Sequence, residues 1–375
     1  MAKPKALLFV APFGFGPAAK AQAILRSLQD LFDFVVVSRG SALEFLKKHR
    51  LQNMTYLSGL SSSLRHPSHL EQFEFAISIN NVPAVHRLSA LGFAKRTVLI
   101  DMLHDWRIEI SHDFPPKNLL AVLAEDILPG FEDRSALEPH VTPVASILTL
   151  PENRTVSSGA PGYDVLVHLG GILSPNLDSQ VAAETLESWI GQLLEKVAGQ
   201  TNRVAALGKL QLSGDLNTPA NVDCFDRADP AEVFDLISSS RAILTTPGIG
   251  FMEMAFIGQR PTVMLPPMNS TQLMHYRCMA AKGIPGVLNE RVLDSMTNAA
   301  RKLPWQQHAR LLVDWLARNT DAVTEASLLS LAELSEERSQ EVVTIQTELV
   351  NSLEKTDAMS VLRDLGKSIL SGSMD

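Results

Sequence analysis

Short apolar runs alternate with amphipathic stretches along the first three hundred residues of this 375-residue chain. Residues 6–10 are continuously apolar, as a strand buried on both faces must be. Helical periodicity follows over 18–31, a second apolar run lies at 34–37, and 42–48 is again helical. Further strand-like runs fall at 75–79, 97–100 and 119–123. Strand–helix alternation of this kind predicts a parallel, doubly wound sheet.

The alternation then breaks. Pro129, Gly130, Pro139, Pro143, Pro151, Gly159, Pro161 and Gly162 crowd one region, the mark of a domain boundary. It restarts with strands expected at 164–168, 204–207, 222–225, 242–245 and 262–265, and helices at 178–197, 230–239, 251–256 and 272–282. From Trp305 to about residue 369 a steady 3.6-residue pattern predicts two or three helices packing as a brace across the two lobes. Their apolar positions hold no strict heptad, which argues against a coiled coil. The expected fold class is α/β, with two Rossmann-like doubly wound domains at 1–155 and 156–304 and a C-terminal helical extension at 305–375. The length agrees, at roughly 100–200 residues per domain.

Composition excludes some functions. A formal net charge of −8 argues against a nucleic acid polymer or an anionic lipid surface as main partner. Cys224 and Cys278 form neither a disulfide framework nor a zinc spacing, which fits a reducing compartment. No run of 18 apolar residues predicts a transmembrane helix. The apolar N-terminal run ends in a glycine-rich turn rather than a small-residue cleavage site, so it reads as a first strand. The cytoplasm is the expected location, and the oligomeric state stays open.

Three segments carry candidate chemistry. After the first strand come Gly14, Phe15, Gly16 and Pro17. A glycine turn between strand and helix lets backbone approach a ligand, and the helix aims free N–H groups at it. The spacing also fits a dinucleotide fingerprint. The second strand, however, ends Val37-Ser38-Arg39 with no acid for a ribose, leaving only an NADP-type reading through Arg39. Within 241–285, a strand runs into Thr246, Pro247, Gly248, Ile249 and Gly250, and a helix follows with Glu253 in its expected first turn. The next strand ends at Pro266 and Pro267, then Asn269 and Gln272 open another helix. Two strand ends thereby put polar groups on the carboxyl rim of a parallel sheet, where α/β sheets bind ligands. Glu253 either caps the helix dipole or accepts hydrogen bonds from ribose hydroxyls.

This 241–285 segment resembles the nucleotide-sugar site of GT-B glycosyltransferases, in particular the bacterial N-acetylglucosaminyltransferases that form lipid II. The resemblance implies transfer from a nucleoside diphosphate sugar, UDP-linked by that likeness. The diphosphate would lie over Gly248–Gly250, the ribose on Glu253 and the sugar near Asn269 and Gln272. Gly170 and Gly171 resemble the glycine turn of the second lobe, and Phe225 stands where that family presents backbone to the nucleobase. Gly14–Gly16 resembles the first-lobe turn facing the cleft. This chain lacks the lipid II enzyme's basic, apolar membrane patch, so a soluble acceptor is expected. It has no Asp-x-Asp motif, so no metal and no cofactor beyond the sugar donor is expected, the helix N-terminus stabilising the leaving diphosphate.

The third segment is Asp101-Met102-Leu103-His104-Asp105-Trp106, at the carboxyl end of a first-lobe strand. Sugar transfer needs a base for the acceptor's proton. Asp101, His104 and Asp105 are candidates, Asp101 first because it directly follows the strand, with Trp106 placed to stack on a planar acceptor. This segment resembles synthases that join glucuronate to cytosine, which implies a nucleobase or nucleoside acceptor. Asn81, ending another strand, would also face the acceptor, and the Ser- and His-rich 58–69 reads as a mobile loop. A sugar-nucleotide epimerase, an NADP oxidoreductase and a non-catalytic binding protein of the same fold remain alternatives.

Overall fold

The computed structural model describes residues 3–12, 15–49, 54–58, 66–108, 114–126, 140–147, 161–170, 180–208, 218–226, 228–352 and 356–372. The chain divides into two compact units. The first comprises Met1–Ile127, Phe131–Thr149 and Leu353–Asp375, and the second Leu128–Gly130 with Leu150–Ser352.

The first unit runs β1 (Lys5–Val10), α1 (Phe15–Leu28), β2 (Asp33–Ser38), α2 (Gly40–Lys48), β3 (Thr55–Ser58), β4 (Phe73–Ile79), α3 (Val82–Ala90), β5 (Thr97–Asp101), the single turn α4 (His104–Trp106), β6 (Ala121–Glu125) and β7 (Val141–Val144). All strand pairs are parallel, in the order β3-β2-β1-β4-β5-β6-β7. The central strands are apolar on both faces because helices cover both: Leu7, Leu8, Ile77, Leu99 and Ile100 are wholly buried. Sequence periodicity missed β3, β7 and α3. β3 is a short edge strand without a buried residue, and β7 contains Pro143, which an edge strand tolerates but which read as a boundary. Within 58–69, residues 59–65 lie outside the described residues and Pro67–His69 form one tight 3-10 turn.

The second unit runs β8 (Tyr163–His168), α5 (Gln180–Ala198), β9 (Val204–Leu207), β10 (Val222–Phe225), α6 (Pro230–Ser238), β11 (Ser240–Thr245), α7 (Ile249–Ile257), β12 (Thr262–Met264), α8 (Ser270–Ala281), α9 (Glu290–Ala300), α10 (His308–Ala332) and α11 (Glu336–Ser352). Its parallel sheet has the order β10-β9-β8-β11-β12. α10 packs along α5, and α11 against α7. A final helix, α12 (Ala358–Ser371), belongs to the first unit. It lies on α1, where Arg363 pairs with Asp30 at 2.7 Å, and Gly366 sits so close to Phe32 that a Cβ would come within 3.0 Å of the ring. Where two or three C-terminal helices were expected, the described residues form three, two in the second unit and one in the first.

Both sheets reverse strand order at one place, between β1 and β4 and between β8 and β11. Helices leave opposite faces there and open a crevice beyond the carboxyl ends, the usual ligand position in such sheets.

Candidate functional site

In the second unit the crevice lies beyond His168–Gly170 of β8 and Thr245–Gly248 of β11. β11 leads through a tight turn, with Gly248 N–H donating to Thr246 O at 2.6 Å, into α7. Gly248 is the N-cap and offers no side chain. Among the described residues α2 and α10 also lack a side-chain cap, whereas α3 is capped by Asn81, α6 by Asp229, α8 by Asn269, α9 by Asn289 and α12 by Asp357. The opening N–H groups of α7 have no such cap and carry the positive end of its dipole. Gly248 and Gly250 are half-buried, so their backbone is reachable, while Ile249 packs into the core.

Gly170 is locked opposite this helix end. Its carbonyl accepts from Thr246 Oγ1 at 2.6 Å and from Gln272 Nε2 at 2.9 Å. A Cβ on Gly170 would stand 2.4 Å from the His168 ring, so only glycine fits. His168 stacks on Phe251 of α7, with centroids 3.6 Å apart and planes within 9°. Thr245 spends its hydroxyl proton on Thr246 O at 2.7 Å, so His168 Nδ1 must donate to Thr245 Oγ1 across 2.8 Å. Nε2 is left unprotonated, and burial pushes the His168 pKa down to about 3, keeping the ring neutral. His275 of α8 holds the Pro247 carbonyl through Nδ1 at 2.9 Å; burial lowers its pKa to about 4 against that bond.

Several residues singled out in the sequence take different places. Glu253 is half-buried and fifth in α7, in the second turn rather than the first. Gln272 is buried, and its amide oxygen accepts from Met268 N–H at 2.8 Å while its nitrogen serves Gly170. It therefore shapes the loop instead of presenting itself to a sugar. Asn269 accepts from Gln272 N–H at 2.9 Å as a helix cap. The Phe225 carbonyl receives Gly208 N–H at 3.0 Å, and its ring meets Tyr163 edge-on at 6.3 Å. Gly171 lies outside the described residues. Sequence reading passed over His168, Phe251 and Gly208. Only Gly208 left a signal, a glycine ending a strand: its φ is +133°, and a Cβ would lie 2.9 Å from Leu169 O.

In the first unit, Asp101 ends β5 and is fully buried. Both its oxygens lie 3.1 Å from Arg107 Nε, and Oδ1 also accepts from Leu103 N–H at 3.1 Å. Burial opposes its charge, but His104 and the Arg107 guanidinium outweigh that and hold the carboxyl below the usual range. A carboxylate so enclosed cannot reach an acceptor, which corrects the expectation of Asp101 as base. His104 is the more exposed partner, with 13% of its side chain accessible and Nδ1 3.6 Å from Asp101 Oδ2. Its Nε2 is itself buried and has no hydrogen-bond partner among the described residues. Trp106 is 7% exposed, so it is packed within the unit and not an open stacking face. The Asp105 side chain and Gly14 lie outside the described residues, as does the Phe15 side chain. Gly16 is exposed in the first turn of α1, where a Cβ would come 3.6 Å from Met102. Asn81 caps α3 by accepting from Ala84 N–H at 3.2 Å, and so is not turned toward a ligand. Its neighbour Asn80, at φ +51°, instead ties β4 to the β5 turn by accepting from Met102 N–H at 2.8 Å.

No group of three or more His, Cys, Asp or Glu among the described residues is placed to hold a metal. Among those residues no helix is long and apolar enough to cross a membrane.

No protein-family model matches the chain, and no curated protein matches it. Solved structures do. A spinosyn rhamnosyltransferase, SpnG, complexed with thymidine diphosphate, is 11% identical over 97% of this chain and 100% of its own, with a TM-score of 0.58. The spinosyn forosaminyltransferase SpnP is 15% identical, covering 98% of this chain and 100% of its own at a TM-score of 0.54. A UDP-glucosyltransferase from Polygonum tinctorium is 13% identical, covering 93% and 99% at a TM-score of 0.51. The chain therefore has the two-domain GT-B α/β fold that these glycosyltransferases share.

Proposed function

We propose that this protein moves a sugar from a nucleoside diphosphate sugar to a small-molecule acceptor. The observation that carries the reading is the uncapped N-terminus of α7 at the switch point of the second sheet, facing a glycine that two side chains hold in place and where a Cβ would not fit. Such an end offers fixed N–H donors and a positive dipole to a diphosphate. SpnG, of like fold, is complexed with thymidine diphosphate, and the Polygonum enzyme is described as glucosylating indoxyl. The likeness of 241–285 to the lipid II-forming transferases supports a UDP-linked donor.

The diphosphate lies over Gly248–Gly250, the ribose on Glu253, the base beside the backbone after Phe225 and the sugar beside Asn269. Glu253, in the second turn, remains within one helical turn of the diphosphate position. In the first unit His104 replaces Asp101 as base. With Nδ1 turned to Asp101 Oδ2 at 3.6 Å, Nε2 carries the lone pair that takes the acceptor's proton, once the cover that buries it in this structure moves aside. The acceptor atom bonds to the anomeric carbon as the bond from that carbon to the diphosphate oxygen breaks. The bonding pair leaves with the diphosphate, whose charge meets the α7 dipole without a metal. Acceptors bearing a hydroxyl or a ring nitrogen suit this chemistry, nucleobases and nucleosides included.

A thermal-shift screen with UDP, GDP, TDP, NADP and NAD tests the reading. One nucleoside diphosphate at ~100 times its dissociation constant should add ~2.7 kcal/mol of stability. Glu253→Ala should then cost ~1.5–3 kcal/mol of that binding. Stabilisation by NADP alone would overturn the proposal and move the ligand to the first unit's glycine turn and Arg39.

A further inference from the structure

The opening of α7 stays free because the backbone acceptors that could close it are engaged elsewhere. The N–H groups of Phe251 and Met252 bond Gly248 O at 3.1 and 3.0 Å, while those of Ile249 and Gly250 meet no acceptor among the described residues. Extending the helix backwards by one turn would supply acceptors three and four residues earlier, namely Thr245 O, Thr246 O and Pro247 O. Thr245 O accepts from Leu265 N–H at 2.8 Å. Thr246 O accepts from Gly248 N–H at 2.6 Å and from Thr245 Oγ1 at 2.7 Å. Pro247 O accepts from His275 Nδ1 at 2.9 Å, so it alone depends on a side chain from a different helix. His275 comes from α8, 28 residues along the chain, and is 3% exposed. A carbonyl can only accept, so Nδ1 carries the proton. Nε2 is buried and has no hydrogen-bond partner among the described residues. A buried nitrogen left unbonded costs stability, so packing alone favours an apolar side chain here. The imidazole gives one bond in return, the one to Pro247 O.

We propose that His275 is a positioning residue that holds the Pro247 carbonyl out of the α7 opening and so keeps the Gly250 N–H for an anion. Without the Nδ1 bond the Pro247–Gly248 peptide can turn, since Gly248 has no Cβ to restrict it, and Pro247 O closes on Gly250 N–H as a 3-10 bond. That turn gives up the Gly248 N–H bond and gains one at Gly250, so the bond from His275 decides the balance. Closure removes a donor and sets a partial negative charge where the diphosphate oxygens would lie. The inference rests on the reading of α7 as the diphosphate site. It adds His275 to the residues that set nucleotide affinity without touching the ligand.

The test combines hydrogen exchange with nucleotide titration on the full chain. With 15N-glycine labelling, Gly250→Ala identifies the Gly250 signal among 21 glycines. In His275→Leu the Gly250 amide should exchange about tenfold more slowly, because it has gained an acceptor, whereas a chain merely loosened by a lost core ring exchanges faster. Gly258, whose N–H bonds Met254 O at 2.9 Å at the far end of α7, is the internal reference. Calorimetric titration with UDP, TDP and GDP should show affinity for the bound nucleotide falling about tenfold or more in the same variant. His275→Asn, which places an amide N–H near the position of Nδ1, should restore both readouts. His275→Phe keeps a ring without a donor and serves should the leucine variant not fold; the same changes are expected. Gly250 exchange unchanged or faster in the variants without a donor overturns the proposal, as does a dissociation constant within about threefold of wild type. The two readings fail separately. If the wild type binds none of the three nucleotides the donor reading falls, and Gly250 exchange decides whether His275 holds the turn. If nucleotide binds and neither readout moves, the donor reading stands and the inference falls.

Discussion

The two sheets reverse strand order in the same way but finish their central strands with opposite chemistry. Beyond β4 and β5 of the first unit stand Asp101, His104, Arg107 and Asn80, whose polar groups are spent largely on one another and on adjacent turns. At the ends of β8 and β11 in the second unit stand Gly170, Thr246 and Gly248, bonded to or made of backbone, and His168, a neutral ring bonded to the Thr245 hydroxyl. On the proposed function the first rim moves a proton, with an imidazole set against a buried ion pair, and the second receives an anion through dipoles that do not titrate. The same fold thus supports both tasks because the sheet supplies only the place, and the residues just past each strand supply the chemistry.

That contrast can be broken or sharpened by experiment. The largest effect is expected at Asp101. Asp101→Ala leaves Arg107 buried without its partner and should cost ~3–5 kcal/mol of stability, read by denaturant unfolding. A loss under 1 kcal/mol would mean that the ion pair is not the frame of the first rim. Next comes acid. His275 has a folded-state pKa of about 4 against 6.5 unfolded, so the unfolded chain binds more protons between those values. Its contribution is fully present above pH 6.5 and is lost as pH falls toward 4, on the order of 3 kcal/mol. His168 acts in the same sense down to about pH 3. Asp101 acts in the same sense but in a lower window: its carboxyl is depressed below 3.8, so its contribution is present above 3.8 and is lost only as pH falls below it. Hydrogen exchange followed from pH 7 to 4 should show the second unit loosening first. Simultaneous loosening, or the reverse order, would erase the contrast.

Gly170→Ala places a methyl 2.4 Å from the His168 ring and should cost ~1–3 kcal/mol together with nucleotide binding. His168→Ala in the same chain should recover stability, because the obstructing ring is gone; no recovery would show that the glycine is needed for another reason. The smallest effect on stability belongs to Gly248→Asp. Its φ of −83° suits any residue, and a Cβ would meet nothing closer than Thr246 O at 3.9 Å. Capping α7 should change stability by only a few tenths of a kcal/mol. The carboxylate would nonetheless occupy the diphosphate's place, so nucleotide binding should vanish. Retained binding would remove α7 as the anion site.

Much of this was legible in the sequence. The strand runs 6–10 and 97–100 fall within β1 and β5, and the segment from Thr246 to Gly250 does lead from a strand into a helix. These follow from local rules: a continuous apolar run, a glycine turn, a helix opening. Roles that depend on several elements were not legible. Gln272 looked like a ligand contact because it opens a helix beside a strand end, yet its amide reaches 102 residues back to Gly170. Asp101 looked like a base because it follows a strand, until Arg107 folded onto it. His168 gave no signal, since its partners Thr245 and Phe251 meet it only when β11 pairs with β8.

The sequence alone, through periodicity and turn chemistry, determined that this chain forms two parallel α/β sheets with glycines at their rims. Those preferences act over a few residues and need no distant partner. The tertiary structure alone decided which polar side chains are spent on the scaffold and which remain for a ligand. A buried hydrogen bond or ion pair must be satisfied by whatever the fold brings near, and that partner can lie a hundred residues away as well as four.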